Sequence, residues 1–246
     1  RRGTMGLAAR ILGFLEVAIQ SMVASTARVG RTTILGFGSL LSEQSARLTF
    51  PDLDEFRLVR VRGYRRVFGH AASIFFERGI ADAATKEFSS LSAEPCADAS
   101  FVACAFEVDV DADAWARFEA REEEFDLADA PFAALDGGAG GEGVLCTRGS
   151  DAAFVERWGR ETYERKYLAH VPSIWDWSRD SGLRPCACYL RHCVLAVTKA
   201  GPAALDSFLD DTYLVDRETT LRTYLDANPH VMDTRPPESL IGRYSG

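Results

Sequence analysis

An α+β fold is what this sequence predicts, and three observations predict it. Runs of alternating apolar and polar residues, the mark of half-exposed strands, recur between positions 34 and 147. Stretches with apolar residues at helical spacing lie among and after them. The chain has 246 residues, 47% of them hydrophobic and 26% charged, which is enough to bury a full core as one large domain or two small ones.

Taken in order, Ile34 and Leu35 read as the end of a buried strand that enters a Gly36-x-Gly38-Ser39 turn. In that turn Ser39 is placed to cap whatever follows. FRLVRVRGYRRVFGH, residues 56–70, alternates apolar and basic residues and predicts strand structure interrupted near Gly63. Its arginines, 57, 60, 62, 65 and 66, read as a solvated strand face, the alternative being a row that meets an anionic substrate. Residues 91–94 and 101–108 predict two more strands joined by a polar loop at 95–100, and 144–147 another after a glycine-rich turn at 136–143. Asp113 is the expected cap of a helix from Ala114, and 152–168 predicts a second helix that ends before Pro172. CACYLRHCVLAV, 186–197, reads as a late strand. Gly201-Pro202 opens a further helix, Asp216 is the expected cap of the next, and Asn228-Pro229 stops it. The tail to Gly246 is expected to lie extended over the surface. Three sections follow: an N-terminal extension at 1–33, a domain at 34–198, and a C-terminal helical extension and tail at 199–246.

Charge and cysteine usage narrow the classes. A net charge of −8 and a sequence pI near 5.1 argue against nucleic acid as a partner, and no run of 18 apolar residues predicts a membrane span. Residues 1–33 differ, with five arginines against one glutamate, net +4, so that the remainder carries −12. That segment, with a helix expected over 5–23, resembles a transit sequence or its remnant; the alternative is an ordinary N-terminal helix packed on the domain. The expected location is an organelle, plastid before mitochondrion, or the cytoplasm. Cys104, Cys146, Cys188 and Cys193 lie in apolar segments and no zinc-type spacing occurs, which indicates a reducing compartment. His70, His170, His192 and His230 have no ligand-like spacing, and neither metal nor cofactor is expected.

Chemistry enters through DADAWARFEAREEEF, 111–125. On a helical wheel Trp115, Phe118 and Phe125 share one stripe, and Glu122 falls within it, whereas Glu123 and Glu124 point away and Glu119 lies at the edge. Burying an unpartnered carboxylate costs several kcal/mol, so an inward Glu122 is either neutral and poised as a general acid/base, or held in a structural ion pair. The glycine turn, with backbone N–H groups free to converge, suits a carboxylate or a developing oxyanion.

GFGSLL at 36–41, RGYRRVFG at 62–69 and FEAREEEF at 118–125, in this order, resemble the gamma-glutamylcyclotransferase-like family, including the ChaC-type enzymes acting on glutathione. The resemblance spans 34 to about 197. It implies a small mixed β-barrel with helices packed outside and a turn in which Gly36, Phe37, Gly38, Ser39 and Leu40 bind a gamma-glutamyl substrate. Glu122 is implied as the catalytic residue of an intramolecular aminolysis that releases 5-oxoproline without metal or cofactor.

Two departures matter. Phe37 stands where the family usually has tyrosine, and loss of one hydrogen bond to a charged group costs about 1.5–3 kcal/mol. Residues 199–246 extend beyond the matched core. Hence two functions are expected from the sequence: a lyase or transferase of this type using Glu122, or a catalytically silent subunit of an organelle complex whose segments 1–33 and 199–246 bind protein partners. A Ser39 hydrolase is disfavoured because the G-x-S-x-G elbow is missing.

Overall fold

The computed structural model describes residues 28–246, so the helix expected over 5–23 lies outside the described residues. The architecture is mixed α+β. Strand β1 (Gly30–Gly36) pairs antiparallel with β3 (Glu87–Val110) and parallel with β5 (Gly141–Thr147). On the far side of β5 lies β4 (Asp126–Ala134), and beyond it β2 (Asp54–Ala71), both antiparallel to their neighbours. Because β2 also pairs antiparallel with β3, the sheet curls back on itself. Two short edge strands, β6 (Arg184–Pro185) along β3 and β7 (Thr212–Leu214) along β2, bring the count to seven. A partly ringed sheet therefore stands where the resemblance implied a small barrel.

Alternation produces β2. Val59 and Val61 are fully buried while Arg60 and Arg62 point outward, and a bulge between Arg62 and Tyr64 accommodates Gly63 at φ +79°. Residues 95–100 are not a loop between two strands, as the polar run suggested. They stay within one extended β3 whose register slips where Ser100 faces Arg62 but Pro95 faces Tyr64. None of the five strand arginines lines the cavity described below: Arg57 meets Glu107 at 2.8 Å, Arg65 meets Glu94, and Arg66 is wholly buried.

Among the described residues eight α-helices pack around the sheet: α1 (Glu43–Arg47), α2 (Ser73–Glu77), α3 (Ala112–Arg121), α4 (Asp151–Trp158), α5 (Arg160–Tyr163), α6 (Ala187–Ala200), α7 (Pro202–Asp210) and α8 (Leu221–Ala227). The expected late strand at 186–197 is in fact the long α6. Cys188, Leu190, His192, Cys193, Val194, Ala196 and Val197 are buried, and the half-exposed face at 187, 191 and 195 carries Ala and Leu beside a single Arg191, so within 186–197 little polarity marks the helical period. Three expected caps move. Ser42, not Ser39, caps α1; Asp111, not Asp113, caps α3; Thr220, not Asp216, caps α8. In each case the residue one step before the first helical turn has the extended backbone that lets its side chain reach back. Asp216 instead accepts from the N–H groups of Glu218 and Thr219.

Arg66 fastens α7 to the sheet. Its guanidinium donates to the carbonyls of Val102 and Ser207 and lies between the rings of Phe101 and Phe208, 4.8 and 5.0 Å from their centroids. The tail does not drape loosely over the surface. Tyr244 is 4% exposed, and Lys199 of α6 donates to the backbone oxygens of Ser245 and Gly246. All six cysteines are free, Cys96 half-buried and the others buried.

Candidate functional site

A cavity of about 540 Å³ opens between the β1 turn, the end of α3, α2, α6 and the C-terminal tail. Gly36, Phe37, Gly38, Ser39 and Leu40 line one wall, and Glu122 lines another, so the six residues singled out in the sequence share one space. At the turn, a single 3-10 turn at Ser39–Leu41 is closed by Leu41 N–H donating to Gly38 at 3.0 Å. Glycine is required here by close approach. A Cβ on Gly36 would sit 2.7 Å from both Cys104 Sγ and Leu40 Cβ, and one on Gly38 would sit 2.6 Å from the Tyr189 hydroxyl.

The acidic wall differs from the helical wheel. Helix α3 ends at Arg121, and Glu122 is its C-cap with φ −98° and ψ 39°. Once the helix stops, the 100° step no longer applies, and Glu123 and Glu124 turn into the cavity wall beside Glu122. The turn is pinned from behind: Trp158 Nε1 donates to the Glu123 carbonyl at 3.0 Å and Trp175 Nε1 to the Glu124 carbonyl at 3.1 Å.

The three carboxyls have different surroundings. Glu123 accepts Lys166 Nζ on both oxygens at 2.7 Å, with Tyr167 and Ser73 hydroxyls on Oε1, and is a structural ion pair. Glu124 is buried and accepts the Tyr167 hydroxyl at 2.6 Å; burial pushes its pKa up to about 7. Glu122 has a side chain 14% exposed, with Arg121 Nη1 2.7 Å from its Oε1. That contact is one of charge: the same Nη1 is buried without a hydrogen-bond partner among the described residues. Burial, reinforced by the nearby charge of Glu122, also holds the Cys146 thiol well above its ordinary range.

Tyr189 of α6 was not flagged by the sequence, because 186–197 read as a strand. Its phenol lies against Gly38 within hydrogen-bonding reach of the Ser39 backbone, and burial raises its pKa, with the charges of Cys193 and Glu122 adding to the effect. A hydroxyl thus reaches the turn from α6, where Phe37 brings none. The Phe37 ring packs edge-on against Phe101 at 5.8 Å. Arg78, Arg243 and Tyr244 complete the rim. Among the described residues no cluster of three or more metal-ligating side chains occurs, and no helix is long and apolar enough to cross a membrane.

No protein-family model matches this chain, and no curated protein matches it. Among solved structures, one described as gamma-glutamyl cyclotransferase is similar at 12% identity and TM-score 0.36, covering 60% of this chain and 90% of that one. An uncharacterized Homo sapiens protein is similar at 12% identity and TM-score 0.37, with 61% and 92% covered. An Arabidopsis thaliana protein is similar at 11% identity and TM-score 0.37, with 58% and 89% covered. At these identities and TM-scores the likeness says nothing about the residues of the cavity, whose chemistry rests on its own geometry.

Proposed function

We propose that the chain is a gamma-glutamylcyclotransferase-type enzyme, releasing 5-oxoproline from a gamma-glutamyl peptide or glutathione by intramolecular aminolysis. The observation that carries this reading is the single cavity shared by the glycine turn and Glu122. Of the three carboxyls there, Glu123 is held by Lys166 and Glu124 by Tyr167, whereas Glu122 has only its chain neighbour Arg121 beside it, so that a ligand reaching it competes with that guanidinium alone. Glu122 takes a proton from the substrate's α-ammonium, and the freed amine attacks the γ-carbonyl carbon. The tetrahedral oxyanion is met by backbone N–H groups of the turn around Gly38 to Leu40. As the C–N bond to the leaving group breaks, Glu122 returns that proton to the departing nitrogen, and the second proton shed by the attacking nitrogen as it becomes the lactam N–H passes to the released amine, which departs as an ammonium, so that protons balance. The Tyr189 hydroxyl, beside Gly38, is a second polar group for the substrate.

The test is to incubate purified protein with glutathione and with gamma-glutamyl dipeptides and assay 5-oxoproline, with Glu122→Gln as the control. The alternative is a silent subunit of an organelle complex, docked through residues 1–33 and 199–246. It is favoured by the missing phenol at Phe37 and by the guanidinium already beside Glu122. Absence of product from every gamma-glutamyl compound would leave that alternative in place.

A further inference from the structure

A second hollow, of about 250 Å³, lies between the loop at 179–184 and the segment 214–228, and among the described residues it shares no lining side chain with the cavity of Glu122. Asp216, Tyr224 and Asn228 line it from the stretch beyond residue 198, which the resemblance leaves unmatched, and Arg179 and Arg184 line it from the loop. Arg184 is set in place by β6, where its N–H donates to the Lys86 carbonyl at 2.9 Å. Lys86 Nζ in turn donates to the Ser181 carbonyl at 2.6 Å, which adds a third positive charge beside the loop.

The donors here lack acceptors. Tyr224 is 5% exposed, and its hydroxyl is buried with no hydrogen-bond partner among the described residues, a state that buried hydroxyls rarely keep. Burial and then the charge of Glu87 raise its pKa to about 12, so the phenol stays a neutral donor; the charge of Arg184 opposes that shift, which sets guanidinium and hydroxyl close together. Neither Arg179 nor Arg184 has a carboxylate within salt-bridge distance among the described residues. The nearby acids are engaged elsewhere. Asp216 accepts the N–H groups of Glu218 and Thr219 and the Thr219 hydroxyl, Asp180 is held by the Ser178 hydroxyl, and Glu87 accepts the Thr85 hydroxyl at 3.1 Å.

We propose that this hollow binds a phosphate group, free or carried by a small ester, through the guanidiniums of Arg179 and Arg184 and the hydroxyl of Tyr224. Phosphate offers several anionic acceptor oxygens, which the planar N–H pairs of guanidinium match and which the phenol can meet with its single proton. A ligand held this way bridges the loop at 179–184 and α8, and so ties the C-terminal stretch to the sheet through β6. The site stands apart from the acidic wall at 122–124 and owes nothing to the chemistry proposed there.

The test is isothermal titration of the full chain at pH 7 and fixed ionic strength with inorganic phosphate, glycerol 3-phosphate and glycerol. Saturable binding of a phosphate probe is expected, and none of glycerol. Arg179→Ala and Arg184→Ala are each expected to weaken it about tenfold or more, as loss of a charge-assisted hydrogen bond implies, with Arg184→Lys retaining part. Tyr224→Phe is expected to weaken it several-fold with the melting curve intact. Equal affinity for the two phosphate probes assigns the site to free phosphate, and tighter binding of the ester assigns it to a phosphomonoester. No binding of either, or binding that both arginine variants leave unchanged, overturns the site. None of these results depends on whether 5-oxoproline is released.

Discussion

Arg121 Nη1 lies 2.7 Å from Oε1 of Glu122, its own neighbour in the chain, across the point where α3 ends. Adjacent residues on a helix point about 100° apart, so this contact exists only because Glu122 leaves the helical path. The arrangement keeps a charged pair at the cavity wall with both partners partly solvated. Neither is fixed by a second ion-pair partner among the described residues.

Replacing Glu122 by Gln keeps its size and removes its proton-accepting role. The expected result is a fall of about 10² or more in kcat for 5-oxoproline release, with thermal stability changed little because the side chain is not wholly buried. Steady-state kinetics beside a melting curve check both parts; a large drop in melting temperature would mean that the loss is structural.

Stability should rise with pH from about 4 to about 7 and then level off. Burial lowers His70 to about 3 and His192 to about 4, so between there and 6.5 the unfolded chain binds protons that the native one refuses, and stability rises with pH. Glu124 acts in the opposite direction. Its native pKa is raised to about 7 from 4.5, so its contribution is complete below 4.5 and is lost as pH rises toward 7. Melting temperature measured from pH 4 to 8 should therefore climb, less steeply above 4.5 where Glu124 opposes the histidines, and level off near 7. Glu124→Gln should steepen the climb between 4.5 and 7, and His70→Phe should flatten it.

Gly36→Ala should cost more than Gly38→Ala. The new methyl at 36 meets Cys104 Sγ and Leu40 Cβ at 2.7 Å, neither of which can swing away, whereas at 38 it meets the end of the Tyr189 side chain. Overpacking of this kind costs about 1–3 kcal/mol. Urea unfolding of both variants would rank them, and adding Tyr189→Phe should recover part of the Gly38→Ala loss.

Arg66→Ala should destabilise the chain by about 3–5 kcal/mol, because it takes the guanidinium donor from the buried Val102 carbonyl, leaves Ser207 only the Asp211 N–H, and empties the space between Phe101 and Phe208. Arg66→Met fills that space and should lose less. A midpoint in urea equal to wild type for the alanine variant would contradict this account.

Much of the site was legible because its signals are local. The glycine turn follows from Gly36 and Gly38 after a buried strand, and Trp115 and Phe118 set the inward face of α3 through four residues of periodicity. Illegible were features that depend on where a helix stops or on what covers it. The wheel sent Glu123 and Glu124 outward because it ran past Arg121. The run at 186–197 hid a helix because its half-exposed face at 187, 191 and 195 is mostly apolar, which blurred the pattern, and with it Tyr189.

By itself the sequence determined the alternation of β2, the bend at Gly36 to Ser39 and the inward face of Trp115 and Phe118, since each follows from spacing within a few residues. Only the tertiary structure decided which carboxyls are held by partners distant in the chain, which hydroxyl reaches the turn, and that Arg243 belongs to the cavity. Those depend on groups far apart in the chain: Trp158 and Trp175 holding the backbone at 123 and 124, Lys166 and Tyr167 occupying two of the three acids, and α6 holding the tail. No local periodicity encodes contacts of that length, because they form only when separate elements close on one core.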